Sequence, residues 1–157
     1  MLDAEIRIAR DDELEDTVVL RWRWTVERGD EVAIDAATFV AEAAAWARAH
    51  ASTHMPHVAV VDGEIVGMAW LALTPRVASV QSRDRMSGDL QSCYVVPELR
   101  GRGLGGRLVQ AVLRTATERG AEHVTVHTSA ESPAMYERNG FRPTARLLWA
   151  EGAIAER

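Results

Sequence analysis

Lysine is absent from this 157-residue chain, and all 18 of its basic residues are arginine. A P-loop needs Gly-Lys followed by Ser or Thr, so that phosphate-binding device is excluded. The all-arginine usage in an alanine-rich chain reads as a GC-rich bacterial coding bias. Cysteine occurs once, at Cys93, which excludes an internal disulfide framework and any multi-cysteine metal site. No apolar run approaches the ~18 residues of a membrane span. The first residues, MLDAEIRIARDDELED, are acidic and form neither a secretory signal nor a transit peptide, so a cytoplasmic protein is expected. There is no repeat, low-complexity tract or linker. A single domain over residues 1–157 is therefore expected, with an ordinary globular composition of 47% apolar and 26% charged residues.

The net charge of −5 argues against bulk nucleic-acid binding. It is unevenly spread. Residues 1–50 hold 12 Asp/Glu against 6 Arg, whereas residues 98–119 hold 5 Arg against 2 Glu. A basic stretch in an acidic chain points to a small anionic ligand rather than a polyanion.

Alternation predicts a strand at 5–9. Leu14, Val18, Trp22 and Val26 fall at helical spacing after a cap at Asp11 or Asp12, and Gly29 stops the run. A second helix over 35–50 starts at Asp35. Residues 57–61 and 64–73 flank Asp62-Gly63, a hairpin signal because a type I′ turn needs positive φ at both central positions. Residues 74–88 read as a loop, 89–96 as a strand stopped by Pro97, and 104–119 as a helix ended by Gly120. A strand at 122–128, a short helix from Ser132-Pro133 to Asn139-Gly140 and a last strand at 141–150 complete a mixed α/β or α+β order.

The run Arg100-Gly101-Arg102-Gly103-Leu104-Gly105-Gly106 lies between a strand and a helix. Its glycines allow close backbone approach, and its N–H groups face outward at a helix N-terminus, where the dipole favours anions. Arg100, Arg102 and Arg107 add full charge for charge-assisted bonds. The chemistry is that of phosphate or pyrophosphate; the plain alternative is a tight connection with solvated arginines. Gly101, Gly103 and Gly106 match G-x-G-x-x-G, but Pro97-Glu98-Leu99 separates them from the strand, and no acidic residue closes the strand at 122–128. A dinucleotide fold is thereby disfavoured.

The segment Tyr94-Val95-Val96-Pro97-Glu98-Leu99-Arg100-Gly101-Arg102-Gly103-Leu104-Gly105 resembles motif A of the GNAT superfamily of N-acetyltransferases, whose core Arg/Gln-x-x-Gly-x-Gly/Ala is met by Arg100, Gly103 and Gly105. Tyr136-Glu137-Arg138-Asn139-Gly140-Phe141 resembles motif B. The resemblance implies a mixed, mostly antiparallel sheet of about six or seven strands with about four helices. It also implies acetyl-CoA as donor co-substrate, with no metal. Pantetheine would run along Cys93, Tyr94 and Val95 like an added strand. The pyrophosphate would lie on the N–H groups of residues 101–106, and Ser129 would stand where relatives often place an Asn against pantetheine. Tyr136 becomes the general acid for the departing thiolate; without the resemblance it reads first as a half-buried packing residue beside Met135. The usual Glu three residues before Tyr94 is Gln91 here, which cannot serve as a base. Asp89, His127, Glu131 or ordered water are the substitutes.

Cys93 reads as a small strand residue rather than a nucleophile, since no base adjoins it. Trp24, out of phase with the Leu14–Trp22 stripe, is the candidate for an acceptor pocket. His50, His54 and His57 suggest a metal by count but straddle a helix end and Pro56, so no metal site is expected. The acidic first half would cover the acceptor side and favour a cationic amine: a small amine, amino sugar, polyamine or peptide N-terminus. An acetyltransferase reading leaves two alternatives, a non-catalytic acyl-CoA sensor or partner-binding module of the same fold, and an O-acyl or longer-chain acyltransferase. A homodimer stays open.

Overall fold

Asp62 and Gly63 carry the turn that organises the sheet, with φ of 51° and 80° as a type I′ turn demands. They join β2 (His54–Val61) to β3 (Glu64–Arg76) in the computed structural model, which describes residues 1–153. β1 (Glu5–Ile8), β4 (Arg85–Val95) and β5 (Ala121–Val126) complete five strands among the described residues, in the order β1-β2-β3-β4-β5. All neighbours are antiparallel except β4 and β5, which are parallel. The helices are α1 (Leu14–Glu27), α2 (Ala36–Ala49), α3 (Leu104–Glu118) and the short α4 (Pro133–Arg138). Asp35 caps α2 by accepting the Thr38 N–H.

Alternation along β3 assigns the two faces. A side-chain carbon at Gly67 would meet Leu108 of α3, whereas Trp70 packs with Val18 of α1 and Ala44 of α2. So α3 covers one face and the α1–α2 pair the other. α3 turns Leu104, Leu108, Val109, Val112 and Ala116 into the core, each large apolar side chain contributing about 1.5–3 kcal/mol of transfer free energy.

Two expectations fail at strand ends. The segment 74–88 is not one loop: Thr74, Pro75 and Arg76 pair with Ser87, Met86 and Arg85. Arg76 and Arg85 both reach Glu122 of β5, at 3.1 and 2.7 Å, so charge rather than apolar alternation extends the hairpin. Conversely, residues 141–150 form no strand. A turn at 145–146 interrupts them, Pro143 lacks a donor, and no ladder receives them among the described residues. The sheet thus has five strands rather than six or seven, and Leu148 stays 91% exposed.

His57 on β2 is buried on the α3 face. Its neutral ring satisfies both neighbours in one tautomer: Nδ1–H donates to the Met55 carbonyl at 3.1 Å, and Nε2 accepts from the Thr115 hydroxyl at 2.7 Å. Burial holds its pKa below the ordinary 6.5. The unfolded chain therefore binds a proton below about pH 6.5 that the folded chain resists, and stability falls as pH drops through that value, by at most ~1.4 kcal/mol per pH unit from this site. Urea denaturation of the parent and His57→Gln between pH 7.5 and 5.5 checks this: the loss on acidification should shrink in the variant. An equal loss in both would remove His57 as the acid-sensitive group.

Candidate active site

β4 changes register where its side chains matter most. Met68 pairs with Tyr94 and Trp70 with Gln91, so Ser92 and Cys93 together face Ala69. Ser92 takes a φ of 58° to make this bulge. On the other side, β4 is laddered to β5 only as far as Leu90↔Val126. Residues 91–95 continue past the end of β5, so the two parallel strands part and leave an open edge beside the bulge.

That edge forms one wall of a cleft of about 940 Å³. Cys93, Tyr94, Val95, Arg100, Gly101, Gly103, Leu104, Gly105 and Gly106 all line it. Gly103 is the N-cap of α3 in the left-handed region, φ 83°, and no side chain caps the helix. The first-turn N–H groups, which have no acceptor within a helix, are therefore turned to the cleft. Gly106 has a second reason to be glycine: a side-chain carbon there would lie 3.0 Å from Asn139 Oδ1, so it permits α3 and α4 to touch.

The arginines divide their work differently from the expectation. Arg107 donates to the Leu2 and Ala4 carbonyls at 3.4 and 2.6 Å, tying the chain start to α3. Arg100 makes a bidentate pair with Glu27 of α1, at 2.6 and 3.0 Å, and its Nε donates to the Val95 carbonyl. Tyr94 also donates to Glu27, at 2.7 Å. Arg100 and then Tyr94 hold the Glu27 carboxyl below its usual range, and burial first, then Glu27, push Tyr94 up to about 12. Glu27 thus anchors α1 to the loop entrance. Arg102 is exposed and does not line the cleft. Arg114 and Arg138 do line it, and sequence reading missed both. Arg107, Gln110 and Arg114 follow at i, i+3 and i+7 on one face of α3, a spacing that would have found Arg114.

A smaller cleft of about 310 Å³ adjoins the first at Cys93 and Ser132. Tyr136 lines it, with Ser129, His127 and Trp24. Tyr136 is 8% exposed, and its ring meets Phe141 edge-on at 5.7 Å. Burial, then the Cys93 thiol, raise its pKa, so the phenol stays protonated well above neutrality. Burial also pushes Cys93 up to about 12, which leaves it a poor nucleophile. Ser129 is exposed and donates to the Ser132 hydroxyl at 3.2 Å.

Of the three candidate bases, Asp89 is engaged by Thr125 at 2.9 Å and by Gln91 at 3.0 Å. Glu131 lines neither cleft, whereas His127 shares one with Tyr136. The Trp24 ring lies 6.0 Å from that of Tyr94, with the Arg21 and Arg28 guanidiniums over it at 4.6 and 4.7 Å. His50 and His54 lie against Trp46, while His57 faces α3, so these three histidines do not converge. Several acidic residues of the first half are turned to arginines: Glu13 to Arg7, Asp11 and Glu15 to Arg48, Glu27 to Arg100. Among the described residues, no carboxylate lines either cleft.

Comparison with known proteins places this geometry. A glucosamine 6-phosphate N-acetyltransferase of Trypanosoma brucei brucei is 32% identical over 86 residues, covering 55% of this chain and 56% of that protein. An uncharacterized N-acetyltransferase, YhfO, of Bacillus subtilis (strain 168) is 34% identical over 88 residues, covering 54% of this chain and 56% of that one. The chain thus matches about half the length of these curated relatives. A predicted acetyltransferase from Clostridium acetobutylicum, solved with acetyl-CoA, superposes with a TM-score of 0.77 over 95% of this chain and 96% of that one, at 19% identity. The sequence model of the acetyltransferase (GNAT) family matches residues 13–141. The bulged β4, the glycine loop and Tyr136 all fall inside that match, and the chain belongs to the GNAT acetyltransferase family.

Proposed function

We propose that this chain is an acetyl-CoA-dependent N-acetyltransferase that acts on a primary amine, by direct attack within a ternary complex. The observation that carries the reading is the juxtaposition of the uncapped α3 N-terminus with the open edge of β4 and Tyr136. The cleft fits the donor: N–H groups of the glycine loop for pyrophosphate, Arg114 and Arg138 for phosphate charge, and an unladdered edge at Cys93–Val95 for an extended amide chain. Acetyl-CoA supplies a thioester whose acyl carbon an amine attacks, releasing a thiolate. Tyr136 holds a proton at its hydroxyl for that sulfur. His127, or water in the same cleft, takes the proton the ammonium must lose first. Ser129 lines the Tyr136 cleft, and Arg102 lines neither cleft.

The test is calorimetric titration with acetyl-CoA, followed by thiol release across a panel of amines. Micromolar binding with release that rises with pH, as the ammonium gives up its proton, is the expected result. Binding with no release on any amine would instead support a non-catalytic acyl-CoA module, to which the Gln91 substitution inclines. Absence of binding would overturn the donor site.

A further inference from the structure

A third hollow, of about 230 Å³, lies between the α1–α2 pair and the sheet and has no part in the chemistry above. Phe39 and Trp46 of α2, Trp70 of β3 and His54 of β2 wall it, and Gln91 and Ser92 of β4 form its inner end. Ser92 also lines the Tyr136 cleft, and the next residue, Cys93, lines both that cleft and the donor cleft. The three spaces therefore follow one another along β4, through the bulge.

The walls state what that end is made of. Trp46 is 47% exposed although it is a large aromatic on an otherwise well-packed helix pair. His50 stacks on it at 4.1 Å and His54 meets it edge-on at 4.9 Å. Phe39 is braced by Trp22 at 6.2 Å. Among the described residues no Asp or Glu lines the hollow; Arg21 lines it, with its guanidinium lying over the Trp24 ring at 4.6 Å. A polycation would find no carboxylate among the residues that line it. A flat apolar group finds ring faces on several sides. An apolar cavity of about 150 Å³ already accepts benzene, so this volume suits one or two fused rings and not a trisaccharide.

We propose that the acceptor is a primary amine on a short arm carrying an aromatic or similarly flat apolar body. The body occupies the Phe39–Trp46–Trp70 hollow, and the amine crosses Ser92 to reach the bulge. This rests on the N-acetyltransferase reading and narrows its substrate class within the cationic amines that the acidic first half suggested, to small monoamines with a flat apolar body and away from polyamines.

The experiment compares 2-phenylethylamine, n-propylamine and spermidine as acceptors with the full chain and acetyl-CoA. It also measures equilibrium binding of 2-phenylethylamine to the CoA-loaded protein. The expected kcat/KM for 2-phenylethylamine exceeds that of n-propylamine by at least ~10-fold, in line with burying one ring. Spermidine is the poorest of the three. Trp46→Ala and, separately, Phe39→Ala reduce the phenylethylamine-to-propylamine ratio several-fold, mainly through KM. Each variant's acetyl-CoA affinity reports that it has folded. Equal use of the two monoamines, a preference for spermidine, or an unchanged ratio in both folded variants would overturn the proposal while leaving the acetyltransferase reading intact. No thiol release with any amine, together with no binding of 2-phenylethylamine, would overturn both.

Discussion

Tyr136→Phe should lower kcat at least ~10-fold while acetyl-CoA binds as before, within the range of a lost general acid. The substitution removes one oxygen and keeps the ring that packs edge-on against Phe141 at 5.7 Å, so the short helix α4 has no reason to move. Burial raises the phenol pKa, which at first sight makes it too weak an acid for a thiolate of ordinary pKa ~8.5. The neighbouring Cys93 shows why the pair stays matched. The same dry surroundings push that thiol up to about 12, and a thiolate released beside it meets the same desolvation. Both partners rise together, and the phenol remains a competent donor. Steady-state kinetics with a fixed amine, alongside calorimetric titration, checks the split between kcat and donor affinity. Unchanged turnover would take Tyr136 out of the chemistry and return it to the packing role that the sequence also allows.

The parts of this site that were legible in the sequence are those built from local backbone chemistry. Asp62-Gly63 specified its turn, Gly101–Gly106 specified a helix start without a side-chain cap that lines the cleft, and Ser132-Pro133 and Asn139-Gly140 bracketed α4. What escaped depends on residues distant in the chain. The arginines of the loop could be counted but not assigned, because Glu27 and the Leu2 and Ala4 carbonyls, which occupy Arg100 and Arg107, lie far away in sequence. The extension of β3 to residue 76 and of β4 back to residue 85 is braced by Glu122, a carboxylate on another strand. That residues 141–150 form no strand is likewise a question of partner rather than pattern: alternation supplies a face, but a strand needs a ladder. The electrostatics of the acceptor side were only partly legible for the same reason. Net charge over residues 1–50 was readable, whereas the pairing of several of those carboxylates with Arg7, Arg48 and Arg100 was not.

Gly103→Asp should weaken acetyl-CoA binding by about a hundredfold or more in a folded protein. Gly103 sits at φ 83°, and a side-chain carbon there meets nothing within 4 Å, so the fold has room for the new group. Asp and Asn are the non-glycine residues that tolerate the left-handed region best, which keeps the backbone strain to about 1–2 kcal/mol. The carboxylate would stand at the start of α3, among the N–H groups offered to the donor's pyrophosphate. Two like charges about 4 Å apart at an effective dielectric near 20 repel by about 4 kcal/mol, which is two to three decades of affinity. Gly103→Asn separates charge from shape, since it is nearly isosteric and carries the same strain without the charge; it should stay within several-fold of the parent. Raising the salt concentration should recover part of the affinity in the Asp variant and little in the Asn variant, because screening acts on the charge alone. Calorimetric titrations at two ionic strengths, with thermal melts to verify folding, read all of this. An Asp variant that melts normally and binds acetyl-CoA as tightly as the parent would mean that the glycine loop is not where the donor's phosphates lie.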